Sequence, residues 1–282
     1  MEDAQVEDEL PNPELRSPAP APPKDLVQDI PPRHSTRVRS IPTYLLDYHC
    51  YTALATLHES QTYREASTDP LWQTAMKEEL DALSKNHTWD LVTFPLGKSV
   101  VGCKWIYKIK TRSDGFIERY KACLVAKGFT QEYGIDYEET FVSVARISSV
   151  QALLVVAATV RKWDLFQMDV KNAFLNGDLS EEVYMQPPLG LSVESNKVCY
   201  LRRALYGLKQ APRAWFAKFS STISRLGYMA SHYDSALFLH RTDKGTILLL
   251  LYVNDMIITG DDLSGIQELK DFFSQQFEMK DL

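Results

Sequence analysis

The segment ILLLLYVNDMIITGDD, from Ile247 to Asp262, constrains the fold more than any other stretch of the chain. Two apolar arms flank a polar corner at Asn254–Asp255, and acid follows. Each arm, like the other long apolar run ALLVVAATV at 152–160, falls far short of the roughly 20 residues that a membrane-crossing helix needs. The pattern therefore predicts a β-hairpin, with Asn254 as a favoured tight-turn residue. The same corner also reads as the remnant of a metal-binding carboxylate pair, one member of which is now an amide. The rest of the sequence bears on both readings.

Upstream, Asp69 can cap and Pro70 can open a helix running to about residue 87, with Ala75, Leu80 and Leu83 on one face. VVGCKWIYKIK alternates like a strand, the SDG corner at 113–115 turns the chain, and FIERYKACLVAKGF alternates again, which predicts a basic hairpin. SSVQALLVVAATVRKW (148–163) reads as a buried helix with a Ser cap, and DLFQMDVKNAFLNG (164–177) as a strand that breaks at its acidic end. PRAWFAKFSSTISRLGY (212–228) is amphipathic, with Trp215, Phe219, Ile223 and Leu226 on its apolar face. A last helix is expected from Ser264, where Ser264 and Gln267 fit a capping box and Ile266, Leu269, Phe273 and Phe277 form the buried stripe. Strands and helices mix without regular βαβ alternation, so the class is α+β. Nine of the 14 prolines precede residue 43, so residues 1–43 read as a disordered Pro-rich linker and 44–70 as a pre-domain segment; RHSTRVRSIPTYLLDYHCY (33–51), across their boundary, is basic and then aromatic.

Four scattered cysteines, with no CxxC pair and no His at ligand spacing, argue against zinc and against a disulfide framework. The acidic N-terminus lacks an apolar signal region, so an intracellular setting is expected. The net charge of −6 excludes a generally basic, nucleic-acid-coating surface, but the charge is segregated. Residues 101–130 carry seven basic side chains against two acidic ones, and 197–218 carry six against none. Such segregation suits a protein that holds a polyanion in one place and a metal in another; solvated faces give the same pattern.

An acid at the end of the QMDVKNAF strand beside the YVND corner would form an oxygen-rich site of the kind Mg²⁺ takes, with few carboxylates plus waters and phosphates. Two such ions clamp the attacking and leaving oxygens of a phosphoryl displacement. Basic side chains on a hairpin would neutralise a triphosphate from the other side. A lone strand-end Asp is more often a cap or turn residue.

Four blocks, in order, go further: WIYKIKTRSDGFIERYKACLVAKGFTQEYGIDYEETF (105–141), WDLFQMDVKNAFLNGDLSEEVYMQPP (163–188), LYGLKQAPRAW (205–215) and YVNDMIITG (252–260). With the first helix they cover about residues 71–282, and they resemble the reverse transcriptase of copia-type LTR retrotransposons. The resemblance implies a right-hand polymerase fold, with fingers and an antiparallel palm sheet packed on helices over 71–282. It implies RNA-directed DNA polymerase chemistry: a primer 3′-oxygen attacks the α-phosphate of a dNTP and pyrophosphate leaves, with two Mg²⁺ ions as cofactors. The implied partners are an RNA or DNA template–primer, dNTPs, and integrase upstream and RNase H downstream in a Pol polyprotein. Membrane association is not implied.

Residue by residue, Asp169 matches the first catalytic, metal-ligating aspartate, and Asp255 with Tyr252 belongs to the metal-site hairpin. Phe174 matches the residue under the sugar that rejects a 2′-hydroxyl. Tyr206, Gly207, Lys209 and Gln210 fall in the loop that packs on nucleotide and template. Lys104, Lys108, Arg119 and Lys121 lie on the fingers hairpin, where the triphosphate and template contacts belong.

The departures carry as much weight. Where the resemblance calls for Tyr-x-Asp-Asp, this chain has Asn254 at the first acid. An amide offers one neutral oxygen to a doubly charged site, so the loss is expected to cost on the order of 4 kcal/mol in the transition state, roughly a thousandfold in rate. Cys123 stands where the family pattern has Arg, Ser143 where it has Pro, and Gln151 where it has Arg. The chain stops at FEMKDL, before the primer-grip strands, thumb, connection and RNase H that the resemblance implies. The expectation is an impaired polymerase fragment; the alternative is a catalytically inactive nucleic-acid-binding remnant or a pseudogene product.

Overall fold

The computed structural model describes residues 58–281, so the readings of 1–43 and of the first part of 44–70 lie outside the described residues. In chain order the elements are α1 (Tyr63–Ala66), α2 (Pro70–Lys85), β1 (Trp89–Thr93), β2 (Cys103–Thr111), β3 (Ile117–Ala126), α3 (Ile147–Val155), β4 (Leu165–Val170), β5 (Tyr184–Met185), β6 (Lys197–Leu201), α4 (Ala211–Arg225), β7 (Met229–Ala230), β8 (Leu237–Thr242), β9 (Gly245–Tyr252), β10 (Asp255–Gly260), α5 (Leu263–Gln276) and β11 (Met279–Asp281). The fold is mixed helix and antiparallel sheet, as the α+β reading expects. A six-stranded sheet runs β11-β4-β10-β9-β8-β7, a three-stranded sheet runs β1-β6-β5, and β2 and β3 form a separate ribbon.

Side-chain parity sorts the six-stranded sheet into two faces. Met168, Val170, Leu249, Leu251, Met256 and Ile258 point to the face covered by α4 and α5, where they meet Trp215, Phe219, Ile223, Leu269 and Phe273. Trp215, Phe219 and Ile223 recur every four residues and so make one stripe, and all three are buried. Truncating a core aromatic of this kind costs about 3–5 kcal/mol, so this layer anchors the sheet. Asp169 and Asp255 sit at the intervening positions, on the opposite face. A second core joins α2 to the β2–β3 ribbon and the three-stranded sheet through Trp72, Leu83, Trp105, Tyr107 and Leu124.

Two expectations about helices need correction. Residues 148–163 are not a buried, Ser-capped helix. Arg146 is the N-cap without a side-chain bond, its N–H going to Asp234 Oδ2 at 3.0 Å, and the last turns widen into a π-helix over Val156–Arg161. Only Leu153 and Ala157 are buried, while Val155 and Val160 are exposed. A continuous apolar run carries no polar gap to mark its outer face, so hydropathy overstates its burial. The Ser264–Gln267 capping box is likewise not formed. Asp262 is the N-cap of α5 and accepts from Gly265 N–H at 2.9 Å and from the Ser264 hydroxyl at 2.8 Å, while Gln267 bonds Asp271 at 2.8 Å. Aspartate is as good an N-cap as serine, and placed one residue before the helix it captures the position.

No helix among the described residues is long and apolar enough to cross a membrane.

Candidate active site

Strand pairing builds the site. β10 lies between β4 and β9, and its first residue, Asp255, is the register partner of both Asp169 and Tyr252. Directly opposed residues project to one face, so the two carboxylates that the sequence reading joined are brought side by side. The Val170 N–H donates to the Asn254 carbonyl at 2.9 Å, which fastens the hairpin tip to β4. The Asn254 side-chain N–H donates to Asp169 Oδ1.

The turn itself differs from the sequence reading. The left-handed residue is Val253, with φ 59°, and not Asn254. A β-branched side chain is a true outlier there, at a cost of about 1–3 kcal/mol. The strain is held by the Trp215 indole N–H, which donates to the Val253 carbonyl at 2.7 Å from beneath. The tolerance of asparagine for tight turns is therefore not what places Asn254 at the corner. Its amide serves Asp169 instead.

Asp255 is only partly buried, yet burial raises its carboxyl above the ordinary carboxylate value, and the Asp169 charge adds to the rise against a hydrogen bond with Gln167. Facing this corner is a cleft of about 510 Å³ between α2 and β3 on one side and β4 with the hairpin tip on the other. Arg119, Lys121, Asp169, Asn254 and Tyr206 all line it, so the structure brings five of the sequence candidates together. Lys110 lines it too and was missed as a site candidate, although strand alternation puts it on the same face as Arg119, its register partner. Burial, reinforced by the Cys123, Glu79 and Asp169 side chains, pushes the Tyr206 hydroxyl up to about 12, so it stays a proton donor at neutral pH.

Other candidates lie elsewhere. Lys104 and Lys108 are on the outer strand β2; Lys108 pairs with Glu59 at 2.6 Å, and neither lines the cleft. Phe174 packs between the two cores with its ring 5.0 Å from that of Tyr206. Tyr252 is exposed at the hairpin. Lys209 and Gln210 are turned inward: the Lys209 ammonium donates to the Gln131 carbonyl at 3.0 Å and lies 4.8 Å over the Tyr137 ring, and Gln210, 1% exposed, donates to the Asp136 carbonyl at 3.1 Å. Gly207 serves close packing. With φ 92°, a Cβ there would lie 2.1 Å from the Ala126 carbonyl oxygen, and a Cβ on Gly128 would lie 2.0 Å from the Gly207 carbonyl oxygen. The two glycines thus let the base of the β2–β3 ribbon cross the Leu205–Leu208 loop. Cys123 sits among Glu79, Lys121, Lys110 and Arg119, and burial raises its thiol.

The donor set does not fit two divalent ions. It holds two carboxylates and one amide, one Asp169 oxygen is already bonded to that amide, and among the described residues no group of three or more His, Cys, Asp or Glu could hold a metal ion.

Residues 86–282 match the family "Reverse transcriptase (RNA-dependent DNA polymerase)". The retrovirus-related Pol polyprotein from transposon RE1 of Arabidopsis thaliana is 44% identical over 237 residues, covering 83% of this chain and 16% of that protein. That from transposon TNT 1-94 of Nicotiana tabacum is 42% identical, covering 82% of this chain and 18% of that protein. The chain thus spans about one sixth of the length of the curated relatives it matches. An apo telomerase from Candida tropicalis overlays with a TM-score of 0.39 at 10% identity, covering 75% of this chain and 55% of that one, which is too loose to carry an argument. With its hairpin, strand-end aspartate and four sequence blocks accounted for, the chain belongs to the reverse transcriptase family, as the corresponding domain of copia-type Pol polyproteins.

Proposed function

We propose that residues 71–282 act as the fingers and palm of a reverse transcriptase that holds template–primer and nucleotide in the cleft but transfers nucleotide poorly. In this reading the β2–β3 ribbon with α2 is the fingers, and the six-stranded sheet with α4 and α5 is the palm. In a parent polyprotein, integrase and RNase H would be its neighbours.

The ribbon supports the binding half. Lys108 opposes Lys121, and Lys110 opposes Arg119. Like charges directly across a ribbon cost a few tenths of a kcal/mol or more, and of these four only Lys108 has an acidic partner among the described residues. A phosphate chain in the cleft would neutralise Lys110, Arg119 and Lys121 together. Binding should therefore weaken steeply with salt, and Lys121→Ala should reduce the salt slope by about one.

The bond from the Asn254 amide to Asp169 is the single observation that carries the transfer half. It places a neutral hydrogen-bond donor where the family pattern has an anion, so the family's divalent-metal chemistry loses a ligand here. What the chain's own residues still do is orient: Tyr206 donates into the cleft, the basic ribbon holds phosphates, and Asp169 is fixed by Asn254. Primer extension on an RNA template in Mg²⁺, comparing the chain with Asn254→Asp, tests this. Extension by the variant at roughly a thousandfold higher rate is expected. Robust extension by the unaltered chain would overturn the impairment. Binding without extension in both forms would favour a binding remnant.

A further inference from the structure

The six-stranded sheet has a second cavity at the end away from the cleft, of about 440 Å³, between the β8–β9 turn, the end of α4 and the start of α5. Its floor is apolar, made by Leu226, Ile247, Leu269 and Phe272. Its rim is acidic: Asp243, Asp262 and Glu268 against one cation, Lys244, give a net charge of −2. Acid alone would mean only a solvated edge, but two further features are aimed into the space.

Tyr228 lines the cavity and is 5% exposed, yet its hydroxyl has no hydrogen-bond partner among the described residues. The hydroxyl is the solvent-reachable end of a side chain that is otherwise buried, so a ligand atom or a water can meet it there. Asp262 and Glu268 are the charges that act on this hydroxyl, which puts it on the acidic side of the cavity. His240, also in the lining, stacks on the Tyr228 ring with centroids 4.7 Å apart and planes at 28°. Its Nδ1 lies 3.1 Å from the Gly227 carbonyl. A carbonyl only accepts, so Nδ1 carries the hydrogen, and in the neutral ring Nε2 is left as an acceptor.

The cavity therefore offers a phenol oxygen, an imidazole Nε2 and the Glu268 carboxylate as acceptors above an apolar floor. We infer that this cavity binds an organic ammonium ion, its N–H groups shared among Tyr228, His240 and Glu268 and its hydrocarbon stem lying on the Leu226–Phe272 floor. A primary ammonium brings three N–H donors, which matches three acceptors, and its charge matches the rim. The ammonium belongs either to a free polyamine or to a lysine side chain of another protein. The site is independent of the cleft and of the polymerase reading.

Titration calorimetry of the full chain tests it, with spermidine in one arm and Nα-acetyl-lysine methylamide in the other. Saturable one-to-one binding is expected. Spermidine alone binding identifies a small-molecule site, the lysine derivative alone a side-chain site, and both together the shared chemistry. Tyr228→Phe keeps the ring, its stack on His240 and every charge, so it should fold and should weaken binding roughly tenfold. Glu268→Gln, on an exposed helix position, should weaken it by a similar factor. The trimethylated lysine derivative, with no N–H to donate, should bind at least tenfold more weakly. Three results would each overturn the proposal: no saturable binding in either arm, unchanged affinity in Tyr228→Phe, or equal binding of the trimethylated compound. Unchanged affinity in that variant would show that spermidine was only neutralising a protein of net charge −6.

Discussion

At one end of β9, Asp262 accepts from the Thr242 hydroxyl at 2.6 Å, the Gly265 N–H at 2.9 Å and the Ser264 hydroxyl at 2.8 Å. These bonds, the Thr242 hydroxyl foremost, hold its carboxyl down at about 2. At the other end, Asp255 faces Asp169 across the β10–β4 pair, and burial followed by that neighbouring charge pushes its carboxyl up. The same residue type on the same sheet thus plays opposite parts. Where donors converge on a carboxylate it is a structural cap whose charge stabilises the fold. Where acids are crowded together, the charge opposes folding, and its use lies in what it can attract.

Breaking the capped end should have the largest effect. Asp262→Ala removes the α5 N-cap and leaves Thr242 and Ser264 without their acceptor, so the melting temperature should fall by roughly 4–8 °C, measured by circular dichroism. The sign of the pH dependence follows from the lowered carboxyl. Its stabilisation is present above the unfolded value of 3.8 and is lost as pH falls towards about 2. Urea titrations of the unaltered chain between those limits should show that loss, and Asp262→Ala should flatten it.

At the other tip, Val253→Gly should raise the melting temperature by about 2–4 °C, because relief of left-handed strain at φ 59° exceeds the entropy a glycine adds. A fall would show that the Val253 side chain contributes more by packing than its backbone costs. The smallest change expected is for Asp255→Asn. Its carboxyl is raised, so its contribution is present below the unfolded value and lost as pH rises through the folded one. Removing the charge should leave the protein slightly more stable at pH 7 and unchanged at pH 3. Destabilisation at pH 7 would mean that the two ends of β9 do not differ as described.

The contrast also shows which parts of the molecule could be read from its sequence. α4 was legible because Trp215, Phe219 and Ile223 repeat at helical spacing on a single face, and that face is the buried one. The β9–β10 hairpin was legible because two apolar arms meet at a two-residue corner. Burial of 148–163 was not legible, since a run such as ALLVVAATV carries no polar marker and its cover depends on what the rest of the chain brings to it. In the cleft, Arg119 and Lys121 lie on the ribbon as expected, but which ribbon cations reach the acids is set by tertiary placement. Lys104, Lys108 and Lys110 share β2 at even positions, and only Lys110, the nearest of them to the turn, lines the cleft. The tie from Asn254 to Asp169 was invisible as well, because the sequence shows the loss of an acid and not the bond that takes its place.

The crossing of Gly128 and Gly207 limits how this molecule can move. Each glycine lets a carbonyl oxygen from a segment about 80 residues away come within about 2 Å of where a Cβ would stand, so any side chain there would clash. Two backbones pressed so closely cannot slide or pivot past one another, so the base of the ribbon is riveted to the body. Any closing of the ribbon over a ligand must be a bending of its free end, beyond the Lys110/Thr111 irregularity in register and towards the turn at 112–116, and only the cations near that end can travel with it.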